Sequence, residues 1–572
     1  MIESIKTEVL VIGGGGAASR AAVEARMLGA EVLLAVKGRY GFMGIRGGGA
    51  SDGSAIGRLD YSYFSYIDHL DKSGWPGDEK EAAIAFTRQA GLGAADPKLI
   101  KVLIENSVPA SENLDRWGLV FKNQGSKNAA RRFKPMPGLG YLVRGSGLDI
   151  LEGVMMTDLL IHEGTCVGAL GVKEQTGEPL MIKAGAVILG TGGYAQLYLL
   201  NCHESGLTGD GHAMGYEAGV PLMNMEFFQV MPAVVYPSTA LLSCTFWNMN
   251  PTVRNSEGEE IIGKYLPSGI TLKQVFKERS IHSPFSTRDK GSRYIEIAMA
   301  EEFKAGRMTD KNGFYLEISN PEKMIGESPD WLRYRGINWV AGNQQCNAIF
   351  HASNGGLIID ENGQTQIPGL YAIGETATGP HGADRPGGHM MGASQVFGML
   401  TGRDAAKKVR GMKLPSINER LAAEGPLECI NALRTSRGKE KPAELKRRLK
   451  KATYENMLTI KSEESLHKVL QEIQLIKEHL YPRLSIEMPM ELVEAIELKN
   501  LLTVGEIIAR AALMRKESRG GHFRKDFPER DDNHWLGAIT VKKTDGKPKL
   551  DRFIIDPEWT DRPGDMGKEP WG

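Results

Sequence analysis

Apolar residues at the start of the chain form two short unbroken runs around a stretch of helical spacing. Glu8 to Ile12 reads as a buried strand, Gly13-Gly14-Gly15-Gly16-Ala17-Ala18 follows at once, and Ser19 to Leu28 carries a helical pattern. Gly29-Ala30 breaks that helix, and Glu31 to Val36 is a second strand. This predicts a strand–helix–strand dinucleotide unit with Gly13, Gly15 and Ala18 at the fingerprint positions and Gly16 beside them, where bare backbone lets a pyrophosphate approach the helix N-terminus. Lys37 and Gly38 stand where an acidic ribose ligand would follow the second strand. The ribose contact must be made differently, and Lys37 is itself taken as a cofactor contact.

The pattern then alternates between strands and glycine. Gly41 to Gly53 is a second cluster, either a plain loop or a backbone cradle through Gly47, Gly48 and Gly49. Residues 68–123 turn helical, with Trp117 and Phe121 as core. Val154 to Val172 and Met181 to Leu189 are β-rich, the second ending at Gly190-Thr191-Gly192-Gly193, where Thr191 and Gly192 are candidate cofactor contacts. Asp210 precedes the helix His212 to Ala218 and either caps it or holds an adenosine hydroxyl. Leu370 to Ile373 is a strand stopping at Gly374-Glu375, followed by His381, Asp384 and Arg385 among glycines and then by helical spacing from Met391 to Val409. A strand, a Gly-rich turn and a helix N-terminus make a floor for an anionic, electron-accepting group such as a flavin, with Glu375, Met390 and Met391 against it.

These patterns divide the chain into a cofactor domain in two pieces, 1–237 and 355–414, an inserted capping domain, 238–354, a helical domain, 415–515, and a C-terminal segment, 516–572. The fold class is α/β, a Rossmann-like domain with an α+β cap and a C-terminal helical bundle. Within the bundle, Glu444 to Ile460 and Glu463 to Leu480 are helices, the second with a stripe at Leu466, Val469, Leu470, Ile473 and Ile476 that reads as helix packing. Glu517 to Asp532 is so densely charged that by pattern alone it reads as a solvated surface loop. The basic run near Lys446 to Lys451 likewise reads as a solvated face.

Composition narrows the chemistry. The chain has 572 residues, 70 Lys plus Arg against 70 Asp plus Glu, and 69 glycines, the last well above the average of about 7% and suited to close backbone approach to a large cofactor. Zero net charge argues against a nucleic-acid binder. The five cysteines are scattered, with no C-x-x-C pair and no metal-finger spacing, so no metal or iron–sulfur site is expected in this chain. Neither a signal peptide nor a membrane span is read at the N-terminus, which points to the cytoplasm.

Six ordered motifs, VIGGGGAASRAA, ILGTGGYAQLY, TGDGHAMGYEAG, STRDKGSRYIEIAMAEE, IPGLYAIGETATGPHGADRPGG and ESRGGHFRKDFPERDD, resemble the flavoprotein subunits of fumarate reductase and succinate dehydrogenase, with L-aspartate oxidase and adenylylsulfate reductase as relatives. The resemblance implies FAD and hydride exchange between flavin N5 and one carbon of a double bond, while an arginine moves a proton at the neighbouring carbon. Arg288 stands at that position, and His351 and Arg385 stand where the family holds a substrate carboxylate. Without the motif, Arg288 reads as a buried salt bridge with Asp289 or another acid. The resemblance also implies an iron–sulfur electron-transfer partner, possible peripheral attachment to a membrane through partner subunits, and no direct membrane insertion.

The departures from the family are specific. A histidine that touches the second carboxylate in relatives is Met231 here, the Thr-Glu pair is Ser243-Cys244, and Trp247 to Pro251 replace R-G-E-G-G. The glutamate that relays protons is therefore missing, and a substrate with one carboxylate and a larger remainder fits better than succinate or fumarate. No histidine lies between Lys37 and Ser51, so the FAD is expected to be non-covalent. Three rival readings stay open: an aspartate-oxidase-like enzyme, an adenylylsulfate-reductase-like enzyme suggested by Asn255 to Glu260, and an electron-relay role within a complex.

Overall fold

The computed structural model describes residues 2–40, 79–118, 120–122, 131–133, 138–242, 244–282, 284–288, 290–319, 337, 342–386, 389–414 and 419–560. The first apolar run lies in a strand, Glu3–Ile12, paired in parallel with Val32–Val36 on one side and Pro179–Leu189 on the other. Val9, Leu10 and Val11 are wholly buried, as an unbroken apolar run requires in a parallel sheet covered on both faces. In spatial order the sheet runs Asp149–Glu152, Val32–Val36, Glu3–Ile12, Pro179–Leu189, Thr165–Lys173 and Val154–His162. A seventh strand, Leu370–Ala372, joins Pro179–Leu189 in parallel.

That last strand brings the second sequence piece into the first sheet. The helix His389–Val409 packs on the helix Gly16–Met27, and Gly398 and Gly402 let the two backbones touch, since a Cβ at either would overlap the Ala17 or Ala21 carbonyl. A second, five-stranded sheet runs Ala240–Leu241, Phe228–Tyr236, Gln345–Ser353, Phe314–Glu317 and Thr252–Arg254. It is built from strands on both sides of position 238. Its central pair is antiparallel and places Met231 opposite Ile349.

The helical region corrects two sequence expectations. The α-helices Pro442–Thr453 and Glu463–Leu475 stop short of the expected ends and close in π-helical turns, Tyr454–Leu458 and Ile476–Leu480. Leu466, Val469, Ile473 and Ile476 are buried as the stripe predicts. They face the long helix Pro489–Met514, which is buried along most of its length because it also packs on Pro442–Thr453 and on the helix Asp210–Glu217.

The first half of the charged segment Glu517 to Asp532 is not a solvated loop, whereas Lys525, Asp526 and Pro528 to Arg530 are exposed as the pattern suggests. Arg515, Glu517, Arg519, His522 and Arg524 are fully buried. Charges can lie there because they neutralise one another: Arg515 Nε is 2.8 Å from Glu226, its Nη1 is 2.7 Å from Glu517, and Arg519 Nε is 2.7 Å from the same carboxylate. The remaining guanidinium protons are donated to backbone carbonyls, among them Leu92, Ala512, Trp535 and Gly537.

Candidate active site

Two surfaces converge at the carboxyl ends of the parallel strands. The first is a bare-backbone cradle. Gly13 has φ +115°, and a Cβ there would overlap the Gly190 carbonyl, so the ends of the strands Glu3–Ile12 and Pro179–Leu189 are in direct contact. Gly15 caps the helix Gly16–Met27 without any side-chain hydrogen bond, and a Cβ on it would meet nothing within 4 Å. The first amides of that helix therefore face open space, and this fits the pyrophosphate of a dinucleotide. Ala18 is buried beneath, against Gly190. Thr191 Oγ1 accepts the Gly211 amide at 3.0 Å, and Gly192 has φ +75° with its carbonyl accepting from Thr376 at 3.1 Å. Glu375 Oε1 accepts the Ser353 amide at 3.0 Å, and Met390 and Met391 are partly buried in the first turn of the helix His389–Val409. Gly47, Gly48 and Gly49 lie outside the described residues.

Lys37 and Asp210 are brought together. Lys37 Nζ lies 2.8 Å from Asp210 Oδ2, 3.0 Å from Glu497 Oε1 and 2.9 Å from Thr208 Oγ1. Asp210 Oδ1 also accepts from Thr208 and Asn500. The cap of the helix Asp210–Glu217 is Gly209, in the left-handed region at φ +74°, and Asp210 is the first helical residue. Of the two roles left open for Asp210, the cap falls to Gly209, and the Asp210 carboxylate binds Lys37. Burial alone would lower the Lys37 pKa, but Asp210 and Glu497 outweigh it and hold it above the ordinary lysine range.

The second surface is a polar pocket. Arg288 Nε lies 3.1 Å from Asp384 Oδ2, and Arg288 Nη2 lies 3.0 Å from His282 Nε2. His282 Nε2 is 3.5 Å from the same carboxylate, and both side chains are about as dry as the apolar core. The acid beside Arg288 is therefore Asp384 from the Gly-rich turn, whereas Asp289 lies outside the described residues. Asp384 Oδ1 accepts the Arg385 amide at 2.8 Å and Gln229 Nε2 at 3.4 Å. Backbone ties hold the parts in register: Phe285 N–H donates to Val230, Thr287 N–H to Gly520, and Gly521 N–H to Ala383.

His351, His381 and His389 surround Arg385 electrostatically. Burial first, and then the Arg385 charge, pushes His381 down to about 3. Burial also takes His351 and His389 well below the ordinary histidine range, with Arg385 adding to both. Burial and the Arg385 charge together favour the neutral form of all three imidazoles. The fold also gathers Cys202, His203 and His351, whose donor atoms lie within 4.8 Å of one another, a grouping that sequence spacing does not reveal. His203 Nε2 contacts the His351 carbonyl, and Cys202 Sγ is 3.8 Å from His351 Nδ1.

Among the residues singled out in sequence, the Arg288 side chain and the Arg385 backbone amide both bind the Asp384 carboxylate, and the Arg385 charge acts on His351. The glycines, Thr191 and Glu375 share the cradle. His282 and Gln229 are not among them. Neither stands in a motif, and only the meeting of remote segments at Asp384 reveals them. Trp247 is fully buried against Phe246 and Phe276, so its bulk fills the cap's own core.

Similarity to known proteins agrees with this geometry. The FAD binding domain family matches residues 8–142 and 138–390, and the fumarate reductase flavoprotein C-terminal family matches 446–563. An uncharacterized FAD-dependent oxidoreductase of Methanocaldococcus jannaschii is 31% identical over 94% of this chain and 96% of its own length. The chain belongs to the fumarate reductase/succinate dehydrogenase superfamily of flavoproteins. It is an FAD-dependent oxidoreductase. One subunit of the CoM/CoB fumarate reductase of Methanothermobacter marburgensis is 28% identical over 95% of this chain and 98% of its own. The fold matches Mycobacterium smegmatis Sdh1 solved with UQ1 at TM-score 0.76 and 22% identity, covering 99% of this chain and 96% of that one. An adenosine-5-phosphosulfate reductase matches at 0.70 and 18%, covering 98% and 97%. Among the described residues no helix is long and apolar enough to cross a membrane.

Proposed function

We propose that this chain is the flavin-bearing component of an enzyme that adds or removes hydrogen across a carbon–carbon bond of an organic acid, exchanging electrons with an iron–sulfur partner. The observation that carries the reading is Asp384, whose carboxylate pairs with Arg288 through one oxygen and accepts the backbone amide of Arg385 through the other. One cation stands where a proton must move, and another where a carboxylate must be held. Bound FAD supplies hydride transfer at its N5. Gly13, Gly15, Gly16 and Ala18 would hold its pyrophosphate, and Thr191, Gly192, Glu375, Met390 and Met391 would line the rest, with Lys37 and Asp210 bracing the wall between them. Without a histidine between Lys37 and Ser51, the flavin is held non-covalently and acid should release it.

Arg385 and His351 receive the substrate carboxylate, and Arg288 donates or withdraws the proton at the carbon next to the hydride. Its fixed charge also stabilises the carbanionic transition state. Met231, buried on the strand Phe228–Tyr236, offers no partner for a second carboxylate. A buried, unpaired carboxylate costs several kcal/mol, so the substrate carries one carboxylate and a bulkier remainder. The segment Asn255 to Glu260, which suggests an adenylylsulfate site by sequence, is engaged in its own turn: Asn255 Oδ1 accepts the Glu257 and Glu259 amides. The partner reading draws support from the Methanothermobacter relative, whose name makes it one subunit of a complex.

The test is anaerobic. The flavin is reduced chemically and its absorbance followed as fumarate, monomethyl fumarate, crotonate or cinnamate is added. Reoxidation should be fastest with a monoacid and should fall by about 10³-fold or more in Arg288→Ala. A rate indifferent to Arg288→Ala would replace this reading with an electron-relay role.

A further inference from the structure

The family's proton-relaying glutamate position is occupied by Cys244 in this sequence, yet an arginine that gives up a proton must regain one every turnover. We infer that His282 returns the proton to Arg288, the inference resting on the function proposed above for Arg288. Three observations carry it. His282 Nε2 is 3.0 Å from Arg288 Nη2, so the imidazole lone pair accepts from the guanidinium. The histidine is buried, 4% exposed, and its backbone amide donates to the Glu278 carbonyl, which fixes its main chain beside the loop of Arg288. Asp384 stands 3.5 Å from His282 and 3.1 Å from Arg288, a carboxylate placed to stabilise positive charge on either group.

The charged groups facing His282 include Arg288 from its own loop and Asp384 from the turn between the strand Leu370–Ala372 and the helix His389–Val409. The nearby Glu278 carboxylate is occupied with the amides of Gly291 and Ser292. In the reducing direction an N–H bond of Arg288 breaks as a C–H bond forms on the substrate, leaving a neutral guanidine. A solvent proton then reaches His282 Nε2, and the imidazolium so formed gives it to Nη2, which returns the imidazole to neutral and restores the hydrogen bond observed. Both electrons come from the reduced flavin, the first hydrogen as hydride and the second as this proton, so the balance closes. In the oxidising direction the same proton travels outward.

The experiment compares His282→Gln, His282→Ala, Arg288→Ala and the unaltered holoenzyme, using whichever of the four acids reoxidises the reduced flavin fastest. Glutamine keeps an acceptor for Arg288 but cannot carry a proton. His282→Gln should keep its flavin and its calorimetric affinity for the saturated product acid, while kcat falls by about tenfold to a hundredfold with KM little changed. Imidazole added to His282→Ala should restore a large part of the lost rate. A second readout needs no turnover. In protein labelled with 13C-histidine, the ring signal missing from His282→Gln should titrate at higher pH in Arg288→Ala, because the adjacent cation is gone. A His282→Gln rate within about twofold of the unaltered enzyme, alongside a silent Arg288→Ala, overturns the relay and leaves the proposed function standing. An Arg288→Ala enzyme that still turns over, or failure of all four acids, overturns both. A His282 signal unmoved by Arg288→Ala overturns the contact itself.

Discussion

Glu497→Gln tests the junction that joins the cofactor domain to the helical bundle. Glu497, on the helix Pro489–Met514, is 4% exposed in its side chain and lies 3.0 Å from Lys37 Nζ and 2.6 Å from Lys446 Nζ. Burial pushes its pKa up, but the two lysines outweigh burial and bring it to about 2 from an ordinary 4.5. That fall corresponds to about 3 kcal/mol of stability at neutral pH. Removing one partner of a buried pair costs a similar amount, about 3–5 kcal/mol. Glutamine keeps the volume and one acceptor, so the expected loss is about 2–4 kcal/mol, or about 2–3 °C in melting temperature if all 572 residues melt together. The sign follows from the depressed carboxylate: its contribution is complete above the unfolded pKa of 4.5 and is lost as pH falls toward the folded value of about 2. The gap between unaltered protein and variant should therefore be constant from pH 7 to 5 and narrower by about 1 kcal/mol at pH 4. Urea unfolding followed by circular dichroism at each pH measures it. A variant as stable as the unaltered protein at pH 7, or a gap that does not narrow at pH 4, would refute the reasoning.

Two further predictions use the same kind of geometry. Gly13→Ala places a Cβ into the Gly190 carbonyl at φ +115°, so the purified variant should contain little flavin, and an unchanged ratio of flavin to protein absorbance would contradict the cradle. Lys461 is wholly buried, 4.8 Å over the Phe228 ring, and burial, then Arg524, lowers its pKa to about 7 from 10.5. The unfolded lysine keeps its proton up to about 10.5, so stability should rise from pH 7 to 9 by up to about 2 kcal/mol, a rise that Lys461→Met should lack and denaturant titration would show.

The parallel sheet is legible in the sequence because burial on both faces demands the continuous apolar runs seen at Glu8 to Ile12 and Met181 to Leu189. The cradle is legible because glycine at Gly13 answers a steric demand that no other residue meets. The first half of the C-terminal segment misleads because charge density signals solvation only when partners are absent, and Arg519 finds Glu517 and the remote Leu92 carbonyl. The pairing of Asp210 with Lys37 is not legible because the two residues are remote in sequence. His282 carries no signal, since a histidine six residues before an arginine has no periodic meaning until the loop folds back on Asp384.

The buried charges of the C-terminal segment have a mechanical consequence for the pocket. Gly520 and Gly521 touch three parts of the site at once: Gly520 accepts the amide beside Arg288, Gly521 donates to the residue before Asp384, and a Cβ on Gly521 would overlap the carbonyl of Phe228 at the start of the strand Phe228–Tyr236. Apolar packing alone would tolerate sliding at such a junction, because it is non-directional. Arg515, Arg519 and Arg524 instead anchor the segment through hydrogen bonds of fixed direction to carboxylates and carbonyls, several of them charge-assisted. The buried charges of this segment thereby hold the strand Phe228–Tyr236, the loop of Arg288 and the turn of Asp384 in one register.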